Sequence, residues 1–139
     1  MPLNAEQIRA EVRRFWQVFE AKQADALADF YAHESTVFGS ASTRPEPGRL
    51  AAARRQREYF HRQATVKAEA GVIDVVLLGD TAAVASYGFK FRATGVAGAL
   101  GKQEDEDITS GRATQVFALD PDGKLRIVHE HLSLPYRNG

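Results

Sequence analysis

The sequence contains no cysteine in 139 residues. Disulfides, thiol nucleophiles and thiolate metal sites are therefore excluded. It also carries no net charge, because 18 Lys and Arg balance 18 Asp and Glu. No overall field exists to draw the chain onto nucleic acid or an anionic membrane. One local basic run, Arg54-Arg55-Gln56-Arg57, reads as a solvated helix face. No apolar stretch approaches the ~20 residues of a membrane-spanning helix. Met1-Pro2-Leu3-Asn4 opens without the apolar core of a secretory signal. A soluble cytoplasmic protein, with no cofactor and no metal implied, is the expectation.

What is present fits one ordinary globular domain spanning residues 1–139, with 44% hydrophobic and 26% charged residues. Asn4 with Gln7 three residues on forms a capping-box signature. Ile8, Val12, Phe15 and Phe19 then recur at helical spacing. A second short helix is predicted from Ala24 to Ala32, and a short strand from Ser35 to Phe38. Gly39 to Gly48, rich in Pro, Gly and small polar residues, reads as loop. A third helix is predicted from Arg49 to Gln63, anchored by Leu50, Ala53 and Phe60.

The period then changes. Lys67 to Leu78 reads as one strand, ended by the Gly79-Asp80 turn signal. Ala82 to Ala93 is the next, with Tyr87, Phe89 and Phe91 on one face. Gly95 to Gly111, glycine-rich and then acidic, reads as a long connection. Arg112 to Leu119 and Lys124 to Leu134 form a closing hairpin around Asp120-Pro121-Asp122-Gly123. Helices followed by a strand meander predict an α+β fold. Its expected shape is a cone, with three N-terminal helices packed on a strongly curved antiparallel sheet around a hollow suited to a small ligand.

The closing hairpin, Gly111-Arg112-Ala113-Thr114-Gln115-Val116-Phe117 through Ile127-Val128-His129-Glu130-His131-Leu132-Ser133, resembles that of SnoaL-like proteins in the nuclear transport factor 2-like superfamily. It is similar also to the association domain of calcium/calmodulin-dependent protein kinase II. Ala28-Asp29-Phe30-Tyr31-Ala32 followed by Ser35-Thr36-Val37 resembles the second helix and first strand of ketosteroid isomerases. The isomerase resemblance fails at the chemistry. Gly39, Phe15 and Gln115 stand where it implies a catalytic aspartate, a tyrosine and a protonated aspartate. Without a positioned base and an electrophilic partner, the usual isomerisation is excluded. The kinase resemblance implies pocket arginines, and Phe89, Gln115 and Leu132 occupy those positions, so anionic ligands are disfavoured.

The resemblance puts Gln115 and Leu132 inside the cone. Alternation along a strand then adds Ala113 and Phe117, and Glu130 and Val128. Tyr87, Phe89 and Phe91 join this set, equally readable as plain core. Phe15 fits the buried stripe of the first helix, and the adjacent Trp16, expected to point another way, flanks the pocket or packs at its mouth. Glu130 is the sharpest chemical candidate. In an apolar hollow its pKa should rise, which suits a general acid or base, with Gln115 or Tyr87 assisting. The plain alternative is a carboxylate satisfied by a neighbouring arginine such as Arg54 or Arg57, or one that sits at the open rim. His129 and His131 make a His-X-His pair that lacks a third ligand, since His33 and His61 are distant in sequence. Sheet packing or a subunit contact with Ile127 is the expectation there.

Three functional classes are compatible with these features. The first is a protein that binds a small hydrophobic or cyclic organic ligand, and it is preferred. The second is an isomerase, cyclase or hydrolase-like enzyme acting on a cyclic or polyketide-like substrate through Glu130. The third is a homo-oligomerisation module, with a homodimer expected in any case.

Overall fold

The computed structural model describes residues 2–39, 44–49, 53–54, 57, 60–61, 63–95 and 106–134. Helix α1 spans Ala5–Glu20, and its N-terminus is closed by the predicted capping box. The Asn4 N–H donates to Gln7 Oε1 at 2.8 Å, and the Gln7 N–H donates to Asn4 Oδ1 at 2.9 Å. Two of the helix's orphan donors are thus satisfied reciprocally. Ile8, Val12, Phe15, Trp16 and Phe19 form its buried face. Phe15 and Trp16 are both inside, their rings meeting edge to face at 5.2 Å, so the apolar stripe is wide enough to take adjacent positions.

Helix α2 spans Ala24–Ala28, four residues shorter than predicted, because β1 already begins at Tyr31. Tertiary pairing overrides local helix propensity here, since Tyr31 lies against Ile127 of the last strand. The third predicted helix, Arg49 to Gln63, lies mostly outside the described residues, and its last residue instead opens a strand.

The strands are β1 (Tyr31–Phe38), β2 (Glu46–Pro47), β3 (Gln63–Ala70), β4 (Asp74–Leu78), β5 (Ala82–Gly95), β6 (Glu106–Leu119) and β7 (Leu125–Ser133). They form a seven-stranded sheet in the order β2-β1-β7-β6-β5-β3, with β4 pairing on β5. The sheet is mixed: β1 and β7 run parallel, against the antiparallel expectation. Three further boundaries differ from the sequence reading. The single strand predicted over Lys67 to Leu78 is two strands, and both pair with β5. β3 lies along its second half and β4 along its first. The break at Gly71, whose N–H donates to the Gly88 carbonyl at 2.8 Å, lets the edge change course where the sheet bends. Glu106 to Gly111, predicted as connection, is the start of β6. Part of the predicted 39–48 loop pairs with β1 as β2.

The core sits between α1 and the concave face of the sheet, with Phe15, Trp16, Phe30, Tyr31, Tyr87, Phe89, Phe117 and Ile127 at its centre. No helix among the described residues is long and apolar enough to cross a membrane.

Candidate functional site

Gln115 and Glu130 lie directly opposite one another on β6 and β7, and both are fully buried. Both therefore belong to the concave face. Around them runs an unbroken hydrogen-bonded chain. The Trp16 indole N–H donates to Tyr87 Oη at 3.0 Å, and the Tyr87 hydroxyl donates to Gln115 Oε1 at 2.6 Å. Gln115 Nε2 donates to Glu130 Oε1 at 2.7 Å, and the Tyr31 hydroxyl donates to Glu130 Oε2 at 2.8 Å. The indole can only donate and an ionised carboxylate can only accept, and between these two ends every bond runs in one sense. The carboxyl group of Glu130 stands at the receiving end and accepts on both oxygens.

Aromatic rings enclose the chain. Trp16 stacks on Phe89 at 5.1 Å and meets Phe19 edge to face at 5.1 Å. Phe15 packs edge to face on Tyr31 at 6.1 Å. In this setting burial pushes the Tyr87 phenol far above its ordinary 10.0. The nearby Glu130 charge raises it further, while the Trp16 hydrogen bond opposes the rise. Tyr87 is thus a lasting neutral donor.

Of the predicted ligand-contacting residues, Phe15, Trp16, Phe89 and Phe117 are buried on this face, and Leu132 is half-buried against it. Of Phe91 only the backbone is described. Val128 is a correction. A β-bulge shifts the β6–β7 register between Val116 and Phe117, so Ile127, not Val128, lies opposite Phe117. One extra residue flips the face of every residue beyond it. Ile127 is fully buried in the core, and Val128 is left outside it. The outer-face patch expected from Ile127, His129 and His131 therefore loses its first member. His129 Nδ1 lies 2.9 Å from Thr36 Oγ1, and the His131 ring lies 5.5 Å from Phe38. No group of three or more His, Asp or Glu among the described residues is arranged to hold a metal.

Two residues escaped the sequence reading. Tyr31 falls within the predicted second helix, and only the parallel β1–β7 pairing brings its hydroxyl to Glu130. Ser35 is 1% exposed, and its Oγ has no hydrogen-bond partner. Its spacing of two from the inward Val37 was the available signal. An open depression of about 330 Å³ lies elsewhere, lined by Glu20, Lys67, Ala68, Glu69, Lys90 and Arg92. It contains none of the predicted site residues and is charged where the prediction was apolar.

The SnoaL-like domain family matches residues 8–137. The chain belongs to the SnoaL-like domain family. Among curated protein sequences none matches it. This SnoaL-like domain superposes on a Xanthomonas campestris protein provisionally described as a calcium/calmodulin dependent protein kinase II association domain. The TM-score is 0.80 at 19% identity, over 98% of this chain and 91% of that one. It is similar to a nuclear transport factor 2-like superfamily protein of Salmonella enterica, with TM-score 0.77 and 19% identity over 98% and 96% of the two chains. A Catenulispora acidiphila protein solved in complex with S-DNPA gives TM-score 0.71 and 17% identity over 93% and 89%. At these identities the superpositions establish a shared fold.

Proposed function

We propose that this SnoaL-like domain binds a small, uncharged, compact organic molecule on the concave side of its sheet, with Glu130 as the polar anchor. The observation that carries the reading is the donor chain from Trp16 to Glu130, completed by Tyr31. A carboxyl group taken out of water costs several kcal/mol before compensation, and an apolar residue of similar volume would pack as well or better. Five connected polar side chains in the most aromatic part of the core therefore favour recognition over simple packing. Donors held rigidly by neighbours are what a pre-organised site requires. The S-DNPA complex of the Catenulispora protein supports such a use of the fold.

Cyclohexanol and cyclohexanecarboxylate, titrated while recording amide and indole NMR signals, test the reading. The alcohol should bind, the anion should bind more weakly, and Glu130→Gln should weaken the alcohol by about tenfold, as for loss of a charge-assisted hydrogen bond. Equal binding of the two probes, or an unaffected variant that remains folded, would refute it.

Catalysis is a second reading, favoured by the pairing of Glu130 with the Tyr31 phenol. A carboxylate held by two neutral donors is oriented as a general base would need to be. The substrate would be a cyclic or polyketide-like compound, and Glu130→Gln should then abolish turnover. A homodimer through the outer sheet face, where Thr36, Val116 and His129 lie, belongs to the same proposal. Sedimentation velocity would report it as a doubled mass. A cytoplasmic location is consistent with the cysteine-free composition.

A further inference from the structure

Ser35 is the one buried side chain with an unpartnered polar atom among the described residues. Buried hydroxyls are nearly always hydrogen-bonded, because an unmet one costs about 1–3 kcal/mol. Ser35 lies inside a strand, in the stretch between Tyr31 and Thr36 where the β1–β7 register shifts, and alanine would fill the position without that cost.

Its position gives it a purpose. In the parallel β1–β7 pair, Val37 is the register partner of Glu130, and Thr36 is that of His129. Thr36 and His129 meet on the outer face. Val37 and Glu130 are fully buried on the inner one. Ser35, two residues before Val37, returns to the inner face about 6–7 Å along the strand from it. Tyr31, at the start of the same strand, sends its hydroxyl to Glu130. Strand β1 thus presents two hydroxyls to one interior region. One is engaged by Glu130 and the other is unengaged.

We propose that Ser35 is a ligand-contacting and specificity-determining residue of the interior site, its Oγ–H donating to a second oxygen of the ligand. The inference rests on the reading of Glu130 as the first anchor. The two anchors are chemically complementary. Glu130 acts as an acceptor toward Tyr31 and Gln115, and it would act as one toward a hydroxyl on the ligand. Ser35 offers a donor and asks for an acceptor, a carbonyl or ether oxygen. Together they select a neutral hydroxy-ketone or hydroxy-ether carried on a small ring, over a hydrocarbon, a simple alcohol or an acid.

The test titrates 4-hydroxycyclohexanone, cyclohexanol and cyclohexanone into the wild-type protein and Ser35→Ala, reading affinities from NMR shifts. The wild type should prefer the hydroxy-ketone over cyclohexanol by about fivefold, the worth of one neutral hydrogen bond. Ser35→Ala should erase that preference while leaving cyclohexanol unchanged. Its urea midpoint should be equal to or above that of the wild type. A preference that survives in Ser35→Ala, or a variant of clearly lower midpoint, would overturn the role of Ser35 and leave Glu130 untouched. Failure of all three probes to bind the wild type would overturn the Glu130 reading and this inference with it.

Discussion

Tyr31 and Gln115 each donate to one oxygen of Glu130, so removing either leaves a buried acceptor short of a partner. Tyr31→Phe keeps the ring and its contacts and should cost about 1–3 kcal/mol in urea unfolding. A cost near zero would mean that the bond does not persist in solution. Tyr87 makes a prediction about pH. Its folded value is raised, so above 10.0 the unfolded chain loses this proton while the folded chain keeps it. Stability from this group is complete below that value and declines as pH rises past it. The decline should be shallower in Tyr87→Phe than in the wild type, measured by denaturant unfolding through the alkaline range. At this scale much was legible: once the resemblance set the parity of the last two strands, alternation gave Gln115 and Glu130 a common face. Tyr31 was not legible, because its role depends on a contact with a residue 99 positions away. Ser35 reads as a strand residue from the sequence, but its lack of a hydrogen-bond partner depends on the folded surroundings.

Elements show where alternation fails. The bulge in β7 exchanges the places of Ile127 and Val128, and no local pattern in Leu125-Arg126-Ile127-Val128-His129 distinguishes the two phases. Ile127→Ala should therefore cost about 2–5 kcal/mol, as a large-to-small core change. Val128→Ala should cost well under half of that. The reverse order in chemical denaturation would restore the unbulged register. Gly111 sits opposite Phe89 across the β5–β6 pair. A Cβ there would come within 2.4 Å of the Phe89 ring and 2.8 Å of the Ser133 carbonyl oxygen. The ring can turn but the carbonyl belongs to a paired strand, so Gly111→Ala should destabilise by about 1–3 kcal/mol. The cap of α1 and the closing hairpin were readable because their signals are short-range. The division of β3 from β4 and the parallel β1–β7 pair were not, since both depend on where distant strands lie.

The molecule as a whole encloses its polar chain. Glu130 and Gln115 have no exposed surface, so a ligand must wait for the side chains over them to part. Observed binding rates should then level off at high ligand concentration, at the rate of opening, instead of rising without limit. The measurement closest to the central claim uses the protein's single tryptophan, whose indole N–H begins the chain and gives one unambiguous NMR resonance. On addition of cyclohexanol, the Trp16 indole and Gln115 side-chain amide signals should move together along one binding curve. Shifts confined to the charged depression around Lys67 and Arg92, with the indole signal stationary, would contradict the account.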